Sequence, residues 1–463
     1  MHYSERAITR SVFRAYDIRG LIGGELDEDA YYTIGRALAV RLISLQRESI
    51  FVARDGRLTS ESLANALIQG LVNSGIQAID IGMVPTSVMY YATCTGGLDC
   101  GVMVTGSHNP ADYNGIKMVL AGKTLVQSDI ETLYDIVAEQ SFQNGAAQVL
   151  SRDFLTPYVK RILDDISIQR PLKVVVDCGN GIAGVTAPSV LSQLGCEVIP
   201  LYCEVDGRFP NHHPDPSVES NLVDLQAAVL THQADLGLAF DGDADRLGVI
   251  TNQGTIIWPD RLMMYYAKHL LKTVPGATIA YDVKCSTHLM KVIQAAGGVP
   301  RMCPTGHSIV KAVMKESNAA LAGEMSGHLF FKDRWYGFDD ALYSACRLLE
   351  WVSQSNQSVS EQFDLIPDSV NTPEIKISIA DDQKFQFMKA FCETAQFDGA
   401  TDLITMDGLR VEFPHGWGLL RASNTTPCLV ARFEALDASS LLDIQVMFRR
   451  ELHKIDDALV LSF

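Results

Sequence analysis

Three segments of the sequence share one order of predicted elements: a strand, a helix and a second strand. They span residues 50–81, 173–201 and 278–303. In each, a β-rich run ends in Asp, and a glycine follows the helix where a helix end favours positive φ. Strand–helix–strand units of this kind predict parallel strands joined by right-handed crossovers. The repeat therefore predicts three similar α/β domains.

Each of the three segments is followed by another short apolar run that leads into a polar loop. These loops cover residues 105–110, 241–246 and 323–328. Loops at the carboxyl ends of parallel strands carry function in most sheets of this type. We therefore expect each α/β domain to present one polar loop to a central cleft.

The C-terminal part of the chain has a different pattern. Alternating residues at 374–379 predict a strand, and a helix near 383–394, strands near 409–413 and 428–433 and a helix near 439–455 follow. This order indicates an α+β domain with an antiparallel sheet. The predicted fold is thus α/β with four domains, three with mixed sheets and a C-terminal α+β domain around a central cleft. Their predicted bounds are 1–153, 154–256, 257–368 and 369–463. The residues before Val12 are predicted to form an unstructured extension or a short helix.

Composition and charge exclude several classes of protein. Of 463 residues, 47% are apolar and 20% charged, which excludes a disordered or fibrous chain. The formal net charge of −17 argues against a nucleic-acid partner, although a local basic cluster can still bind a small anion. No apolar run approaches the roughly 18–20 residues of a membrane span, so no membrane partner is expected.

The cysteines and the N-terminus point to a reducing compartment. The ten cysteines include no C-x-x-C pair, and residues 1–10 lack the apolar region of a secretory signal. We therefore expect a cytoplasmic protein whose cysteines are small buried hydrophobic residues.

The loop at 241–246 carries three aspartates at alternate positions: Asp241, Asp243 and Asp245. Three such carboxylates can converge on one hard divalent cation and leave positions open for a phosphate oxygen or water. An EF-hand is excluded, because Arg246 and Asn252 stand where that loop needs Gly and Glu. A solvated acidic turn is the alternative.

A second candidate is the tight turn around Ser107, whose hydroxyl could act as a nucleophile beside His108 and Asn109. The serine-hydrolase pattern G-x-S-x-G does not fit, because Thr105 and Asn109 occupy its glycine positions. A structural serine in a turn remains open.

Two further loops offer groups that suit a sugar phosphate. Residues 421–427 combine an arginine, hydroxyls, an amide and backbone N–H groups, which together can hold an anion. Residues 323–328 offer a carboxylate, a hydroxyl and an imidazole for sugar hydroxyls. Ordinary polar turns are the alternative for both loops. The neighbouring His212 and His213 lie in a proline-stiffened loop that we interpret as structural.

Taken in order, these loops resemble the α-D-phosphohexomutase superfamily, and within it most closely the bacterial phosphomannomutase/phosphoglucomutase group. The resemblance covers residues 13–433, with matching segments at 105–117, 206–212, 241–246, 323–328 and 421–427. It implies an isomerase that moves a phosphoryl group reversibly between C1 and C6 of mannose or glucose phosphates. The route implied is a phosphoserine enzyme and a hexose 1,6-bisphosphate, which serves as activator and intermediate.

The resemblance also implies roles for individual residues. The implied catalytic residues are Ser107, His108, Lys117, Arg246 and His328. The implied substrate-binding residues are Tyr16, Arg19, Lys284, His307, Glu324, Ser326, Arg421, Ser423, Asn424 and Thr425. The implied Mg²⁺ ligands are Ser107, through its phosphoryl oxygen, with Asp241, Asp243 and Asp245. The expected partners are hexose 1-phosphates and 6-phosphates, and the expected protein is a monomer that supplies polysaccharide biosynthesis and closes its fourth domain around the ligand.

Two other functions remain open at this point. Met325 stands where phosphoglucosamine mutases of the family typically carry Gln, which favours mannose or glucose phosphates over the amino sugar. A phosphoglucosamine mutase is therefore the first alternative. A catalytically silent protein that binds a sugar phosphate is the second.

Overall fold

The structure is a computed structural model that describes residues 3–424 and 426–463. Its described residues form four sheets, one after another along the chain. Three α/β units come first, and a unit with an antiparallel sheet follows, which confirms the predicted fold class. The bounds predicted for the four domains remain a prediction.

The first unit is a mixed sheet flanked by helices. Its strands are β1 (Ile18–Leu21), β2 (Ser49–Arg54), β3 (Gln77–Met83), β4 (Gly101–Val104), β5 (Tyr113–Leu120), β6 (Lys123–Thr124) and β7 (Val149–Ser151). Its helices are α1 (Glu28–Ser44), α2 (Ser60–Val72), α3 (Thr86–Thr95) and α4 (Gln127–Glu139). The strand order is β1-β5-β4-β2-β3-β7, with β6 beside β5. Parallel pairing of β2 with β3 and β4 brings the ends of these strands to one edge.

The second unit repeats this arrangement on a smaller scale. Its helices are α5 (Leu155–Asp165), α6 (Ala187–Gln193) and α7 (Val223–His232). Its strands are β8 (Lys173–Asp177), β9 (Glu197–Leu201), β10 (Leu236–Phe240), β11 (Leu247–Thr251) and β12 (Ile256–Ile257), in the order β12-β11-β10-β8-β9. The β8 strand is parallel to β9 and β10, whereas β11 returns antiparallel to β10.

The third unit has the same parallel centre and antiparallel edge. Its helices are α8 (Pro259–Thr273), α9 (Thr287–Ala295), α10 (His307–Ser317), α11 (Ala341–Val352) and α12 (Val359–Asp364). Its strands are β13 (Thr278–Asp282), β14 (Val299–Cys303), β15 (Leu321–Gly323) and β16 (Leu329–Phe331), in the order β14-β13-β15-β16. The strand–helix–strand segments predicted from the repeat are β2-α2-β3, β8-α6-β9 and β13-α9-β14. The glycine after each helix has positive φ, as expected: 87°, 93° and 81° at Gly75, Gly195 and Gly297.

The fourth unit is an antiparallel sheet covered by two long helices. Its strands are β17 (Val370–Asn371), β18 (Ile375–Ser378), β19 (Asp402–Ile404), β20 (Leu409–Phe413), β21 (Gly416–Ala422) and β22 (Cys428–Ala435). Its helices are α13 (Lys384–Thr394) and α14 (Ala438–His453). The order is β17-β22-β21-β20-β19, with β18 also paired to β22.

Each of the four units has an apolar cluster of its own. One continuous cluster joins all three α/β units, and the rings of Tyr91, Tyr158 and Trp335 meet where these units join, with centroids 5.7 to 6.3 Å apart. The fourth unit has its own core around Phe391 and Phe448. The first three units therefore form one body on which the fourth rests.

Two buried arginines of the fourth unit attach it to the third. The guanidinium of Arg410 donates to the carbonyls of Val283 and Cys285 at 2.6 Å and lies 3.8 Å from the ring centroid of Trp417. Arg432 donates to Asp260 at 3.1 Å. A buried charge is tolerated only when it is paired and hydrogen-bonded, and both conditions are met here.

Two expectations about exposure are wrong. The N-terminal segment is not an unstructured extension: Ser4 binds Asp29 of α1 at 2.8 Å, and Ile8 is buried. The alternative prediction, a short helix, agrees with a 3₁₀ turn at Arg10–Val12. Cys94 and Cys392 are exposed, although most of the cysteines are buried as expected. Within the described residues, no helix combines the length and the apolar character needed to cross a membrane.

Candidate active site

The polar loops of the four units meet at one cleft of about 690 Å³. Each follows the end of a strand: β4, β10, β15 and β21. The backbones of the second and third loops touch directly, because Leu247 donates to the carbonyl of Gly327 at 3.1 Å and Arg246 pairs with His328 as an isolated bridge. The three repeated units thus build one site together.

Every described member of the predicted catalytic and substrate-binding sets lines this cleft. These residues are Tyr16, Arg19, Ser107, His108, Lys117, Arg246, Lys284, His307, Glu324, Ser326, His328, Arg421, Ser423 and Asn424. Thr425 lies outside the described residues. The individual roles given to these side chains remain predictions.

Ser107 lies on the loop after β4 with its backbone in the left-handed region, at φ 49°. This conformation is uncommon for a residue other than glycine and is kept only where the surroundings hold it. The hydroxyl donates to Asp241 across 3.3 Å and lies 3.2 Å from Nδ1 of His108. The first two loops approach so closely that a Cβ on Gly242 would stand 2.3 Å from the Ser107 carbonyl oxygen.

The three aspartates converge, as the sequence predicts. Asp241, Asp243 and Asp245 are completely buried, and they offer ligand atoms that lie within 4.8 Å of one another. Burial, together with the charges of Asp245 and Asp243, raises the pKa of Asp241 well above its ordinary value. Such a group of carboxylates needs a cation to be stable.

The cluster fits a divalent metal such as Mg²⁺. One oxygen of Asp243, Oδ1, is buried and has no hydrogen-bond partner among the described residues. Oxygen donors of this kind are what Mg²⁺ and Ca²⁺ prefer. The hydroxyl of Ser107 faces this cluster through Asp241.

Lys117 projects from β5 into the same cluster. Its ammonium bonds Asp243 at 2.6 Å and also pairs with Asp245. Burial alone would lower the pKa of Lys117, but the two carboxylates raise it above its ordinary value. The side chain therefore carries a positive charge between the aspartates and the cleft.

The third loop places His328 between two carboxylates. Its Nε2 lies 3.2 Å from Asp245, and its Nδ1 lies 3.3 Å from Glu324 and 2.8 Å from the hydroxyl of Ser326. Burial opposes the charged form, but the neighbouring Asp245 outweighs it and raises the pKa of His328 to about 9. An imidazolium is therefore held at the cleft near neutral pH.

Two other histidines at the cleft have lowered pKa values. Burial, with the nearby charge of Arg246, holds the pKa of His108 well below its usual range. Burial and the ammonium of Lys311 do the same to His307, whose ring packs on Tyr16 at 5.1 Å. Both imidazoles are neutral at pH 7 and can accept a hydrogen bond.

The opposite end of the cleft is basic. Arg421 is fixed by Asp407 through Nε at 3.0 Å, while its Nη2 is buried without a hydrogen-bond partner among the described residues. Lys284 lies beside it and pairs with Glu374. A guanidinium with a free edge is suited to a phosphate. The structure also corrects the predicted loop, because Arg421 lies within β21, opposite Val430, and not in the turn that follows.

Two features of the site were missed in the sequence. The hydroxyl of Thr86, at the start of α3, donates to Asp243 at 2.7 Å. The buried side chains of Asp55 and Arg57, just after β2, form hydrogen bonds with the loop that carries Ser107. The sequence repeat could have pointed to Asp55, because the first strand of each repeated segment ends in an aspartate, at 55, 177 and 282. Thr86 and Arg57 had no such signal.

The interpretation of the histidine pair as structural agrees with its contacts. His212 binds the strand-end carboxylate of Asp177 at 3.0 Å, within the second unit. The adjacent Asp215 does reach the cleft, where it lies 3.8 Å from Arg246.

Comparison with known proteins agrees with the site. Models of the four phosphoglucomutase/phosphomannomutase domains, the α/β/α domains I, II and III and the C-terminal domain, match residues 10–144, 156–254, 258–369 and 374–451. A Pseudomonas aeruginosa protein named phosphomannomutase/phosphoglucomutase is 52% identical over 453 residues, 98% of each chain. A Neisseria gonorrhoeae phosphoglucomutase is 48% identical over 446 residues, 96% of this chain and 97% of the relative.

A solved structure leads to the same family. The crystal structure of a phosphoglucomutase/phosphomannomutase family protein from Burkholderia thailandensis superposes with a TM-score of 0.93 at 46% identity and covers 98% of this chain and 100% of that one. The four domain models together span nearly the whole chain. The chain therefore belongs to the phosphoglucomutase/phosphomannomutase family.

Proposed function

We propose that this protein interconverts hexose 1-phosphates and hexose 6-phosphates of mannose, glucose or both. The observation that carries the proposal is the position of Ser107: its hydroxyl faces a buried acidic cluster, and a free arginine edge lies across the same cleft. A phosphoryl group on Ser107 and a second phosphate on Arg421 would hold the two ends of one hexose bisphosphate.

The reaction consists of two transfers at Ser107. First, the phosphoserine gives its phosphoryl group to the free hydroxyl of the bound hexose monophosphate. The serine regains a proton, and a hexose 1,6-bisphosphate forms. The bisphosphate turns over in the cleft, and Ser107 then takes the other phosphoryl group. The number of phosphoryl groups is unchanged, and the product is the isomeric monophosphate.

Charge neutralisation is the main requirement of phosphoryl transfer. Mg²⁺ bound to the three aspartates would supply this neutralisation at the phosphoryl oxygens. Arg246, on the same loop as the aspartates, lies 4.0 Å from Asp241, the carboxylate that accepts the Ser107 hydroxyl, and adds a fixed positive charge. We assign Asp241, Asp243 and Asp245, with the phosphoryl oxygen on Ser107, as the metal ligands.

The reacting hydroxyl must lose a proton when it attacks. Lys117 and His328 line the cleft next to the aspartates and are the candidates for proton transfer at the sugar hydroxyls. Both hold a proton near neutral pH, so either one must release it before it can accept the proton of the attacking hydroxyl. His108 lies against the Ser107 hydroxyl and orients it. Glu324 and Ser326, on the loop between β15 and β16, are assigned to the vicinal sugar hydroxyls O3 and O4.

The basic end of the cleft holds the phosphate that does not react. Arg421, Ser423 and Asn424 on the fourth unit and Lys284 on the third are assigned to this clamp, with Tyr16, Arg19 and His307 as further contacts. Because the substrate binds in two orientations, the clamp must accept either end of the sugar. We propose that the fourth unit, which has its own core, closes over the ligand and keeps the bisphosphate from escaping.

We propose a monomer as the working form, because all four units of one chain contribute residues to the cleft. All cysteines are free in the structure, which supports a cytoplasmic setting.

A coupled assay tests the proposed function. Purified protein with Mg²⁺ and a trace of glucose 1,6-bisphosphate is given mannose 1-phosphate, glucose 1-phosphate and glucosamine 6-phosphate in parallel. We expect turnover of one or both of the first two and little of the third. A strong preference for the amino sugar would make the protein a phosphoglucosamine mutase, and turnover of none would favour a silent binding protein.

A further inference from the structure

Arg57 has an unusual set of partners for a charged residue. Its side chain has no exposed surface, and its guanidinium donates to four backbone carbonyls, three in the loop that carries Ser107 and one at the start of β5. The acceptors and distances are Ser107 at 2.8 Å, Asn109 at 2.6 Å, Pro110 at 2.6 Å and Tyr113 at 2.9 Å. Arg57 is not among the described residues that line the cleft. It therefore acts on the loop and not on the substrate.

A second set of hydrogen bonds links Asp55, which lies next to Arg57, to the backbone nitrogen of Ser107. Asp55 lies 3.3 Å from Nε of Arg57 and accepts the hydroxyl of Thr105 at 2.7 Å. That hydroxyl accepts the backbone N–H of Ser107 at 2.8 Å. Asp55, Arg57 and Thr105 thus hold both the N–H and the carbonyl of Ser107. We refer to these three residues as the loop anchor.

Contacts on both sides keep the guanidinium in place. It lies flat against the loop, where a Cβ on Gly106 would stand 2.5 Å from its central carbon. On the other side the ring of Phe209, from the second unit, lies 5.0 Å away. The position of the anchor is therefore set by two units of the protein.

The backbone at Ser107 needs this support. Its φ of 49° costs energy for a residue with a Cβ, and such a conformation persists only where neighbouring groups determine it. Four carbonyls directed at one guanidinium fix the shape of the turn, and the Ser107 side chain is left facing Asp241 on the opposite side. Only arginine has a planar fork with enough donors, because lysine offers a single ammonium.

We propose that the loop anchor, with Arg57 at its centre, positions the Ser107 hydroxyl for phosphoryl transfer. The proposal rests on the proposed function, since it takes Ser107 as the phosphoryl carrier. Arg57 is a positioning residue here and touches neither the substrate nor the phosphoryl group.

The test compares Arg57→Lys with the wild type in steady-state and single-turnover assays. We expect kcat to fall about 10- to 100-fold, because small displacements of a reacting group have effects of this size. KM for glucose 1-phosphate should change by less than about threefold, because Arg421 and Lys284 lie on other elements. The rate at which glucose 1,6-bisphosphate phosphorylates the enzyme should fall with kcat.

Arg347→Lys is the matched control. Arg347 is also a buried arginine, but it pairs with Asp333 at 2.8 Å in the third unit and does not line the cleft. A merely structural loss would lower thermal stability in both variants and leave kcat per folded molecule unchanged. An Arg57→Lys enzyme with the kcat of the control would overturn the proposal.

Thr105→Val provides a second test that keeps the shape of the side chain, and it decides the matter if Arg57→Lys does not fold. It removes the hydroxyl that joins Asp55 to the Ser107 N–H, so kcat should fall about tenfold with KM preserved. Thr105→Ser should restore kcat. Equal kcat values in Thr105→Val and Thr105→Ser would count against the proposal. A wild type without mutase activity would instead refute the proposed function, so the two failures are distinguishable.

Discussion

Thr86→Val should weaken metal binding without removing any metal ligand. Thr86 belongs to the first unit, yet its hydroxyl donates to Asp243 of the second at 2.7 Å in a fully buried setting. Valine has the same shape but no donor. The backbone N–H of Thr86 still donates to the Asp243 carbonyl at 3.1 Å, so the two units should stay in register.

The size of the effect follows from this one bond. A hydrogen bond to a charged group contributes about 1.5–3 kcal/mol. Since 1.4 kcal/mol corresponds to a factor of ten in affinity, the Kd for Mg²⁺ should rise roughly 10- to 100-fold. Loss of a group that orients a metal ligand has effects of the same size.

Isothermal titration of the enzyme with Mg²⁺ measures this Kd directly, without reference to activity. Thr86→Ser keeps the hydroxyl and should bind Mg²⁺ like the wild type. At saturating Mg²⁺ the kcat of Thr86→Val should return to within about threefold of the wild type. A wild-type Kd in Thr86→Val, or a loss of activity that excess Mg²⁺ does not repair, would refute this reasoning.

Three further predictions concern other parts of the molecule. Arg421→Lys keeps the positive charge of the phosphate clamp but loses the planar fork of the guanidinium. KM for hexose 1-phosphates and 6-phosphates should therefore rise alike, by about tenfold. A change for one substrate alone would contradict a clamp that holds either end of the sugar. Arg410→Met leaves the carbonyls of Val283 and Cys285 without this donor, so calorimetry should show a thermal transition lowered by several degrees. Burial raises the pKa of Asp340 to about 7, so ionisation of Asp340 weakens folding as pH rises from about 4 to 7. Asp340 caps the start of α11 by accepting the backbone N–H of Tyr343 at 3.0 Å, and Asn can keep this cap. Asp340→Asn should therefore gain thermal stability relative to the wild type over that range, whereas a constant difference would contradict it.

Much of the fold follows from local patterns that the sequence shows directly. The predicted bounds of the three repeated segments agree with the structure to within two residues: residues 50–81 correspond to 49–83, and 173–201 and 278–303 are unchanged. Buried parallel strands form short apolar runs ending at polar loops, and both features are visible without any knowledge of contacts. The polar loops were found for the same reason.

The parts that were missed depend on contacts between distant residues. Thr86 and Asp243 are 157 positions apart, so no local pattern joins them. Strand β21 (Gly416–Ala422) begins with Gly-Trp-Gly, a composition that local propensity does not assign to a strand, and it forms because it pairs on both sides with β20 and β22. The N-terminal segment is ordered by ion pairs to α1, such as that between Glu5 and Arg36 at 2.7 Å, which composition does not predict.

Arg57 shows the same limit at the active site. An arginine after a strand is usually exposed, and only the fold reveals that four carbonyls of another segment surround this one. The chemistry of the cleft could therefore be predicted from its motifs, whereas the groups that support those motifs could not.

The most direct test of the mechanism is the phosphorylation state of Ser107. Intact mass spectrometry of the purified protein, before and after incubation with glucose 1,6-bisphosphate and Mg²⁺, measures it. The mechanism predicts that the protein gains the mass of one phosphoryl group, that peptide mapping places it on Ser107, and that excess hexose 6-phosphate removes it. Ser107→Ala should fold normally and acquire none. A wild-type enzyme that turns over hexose phosphates while Ser107 never carries phosphate would contradict the mechanism.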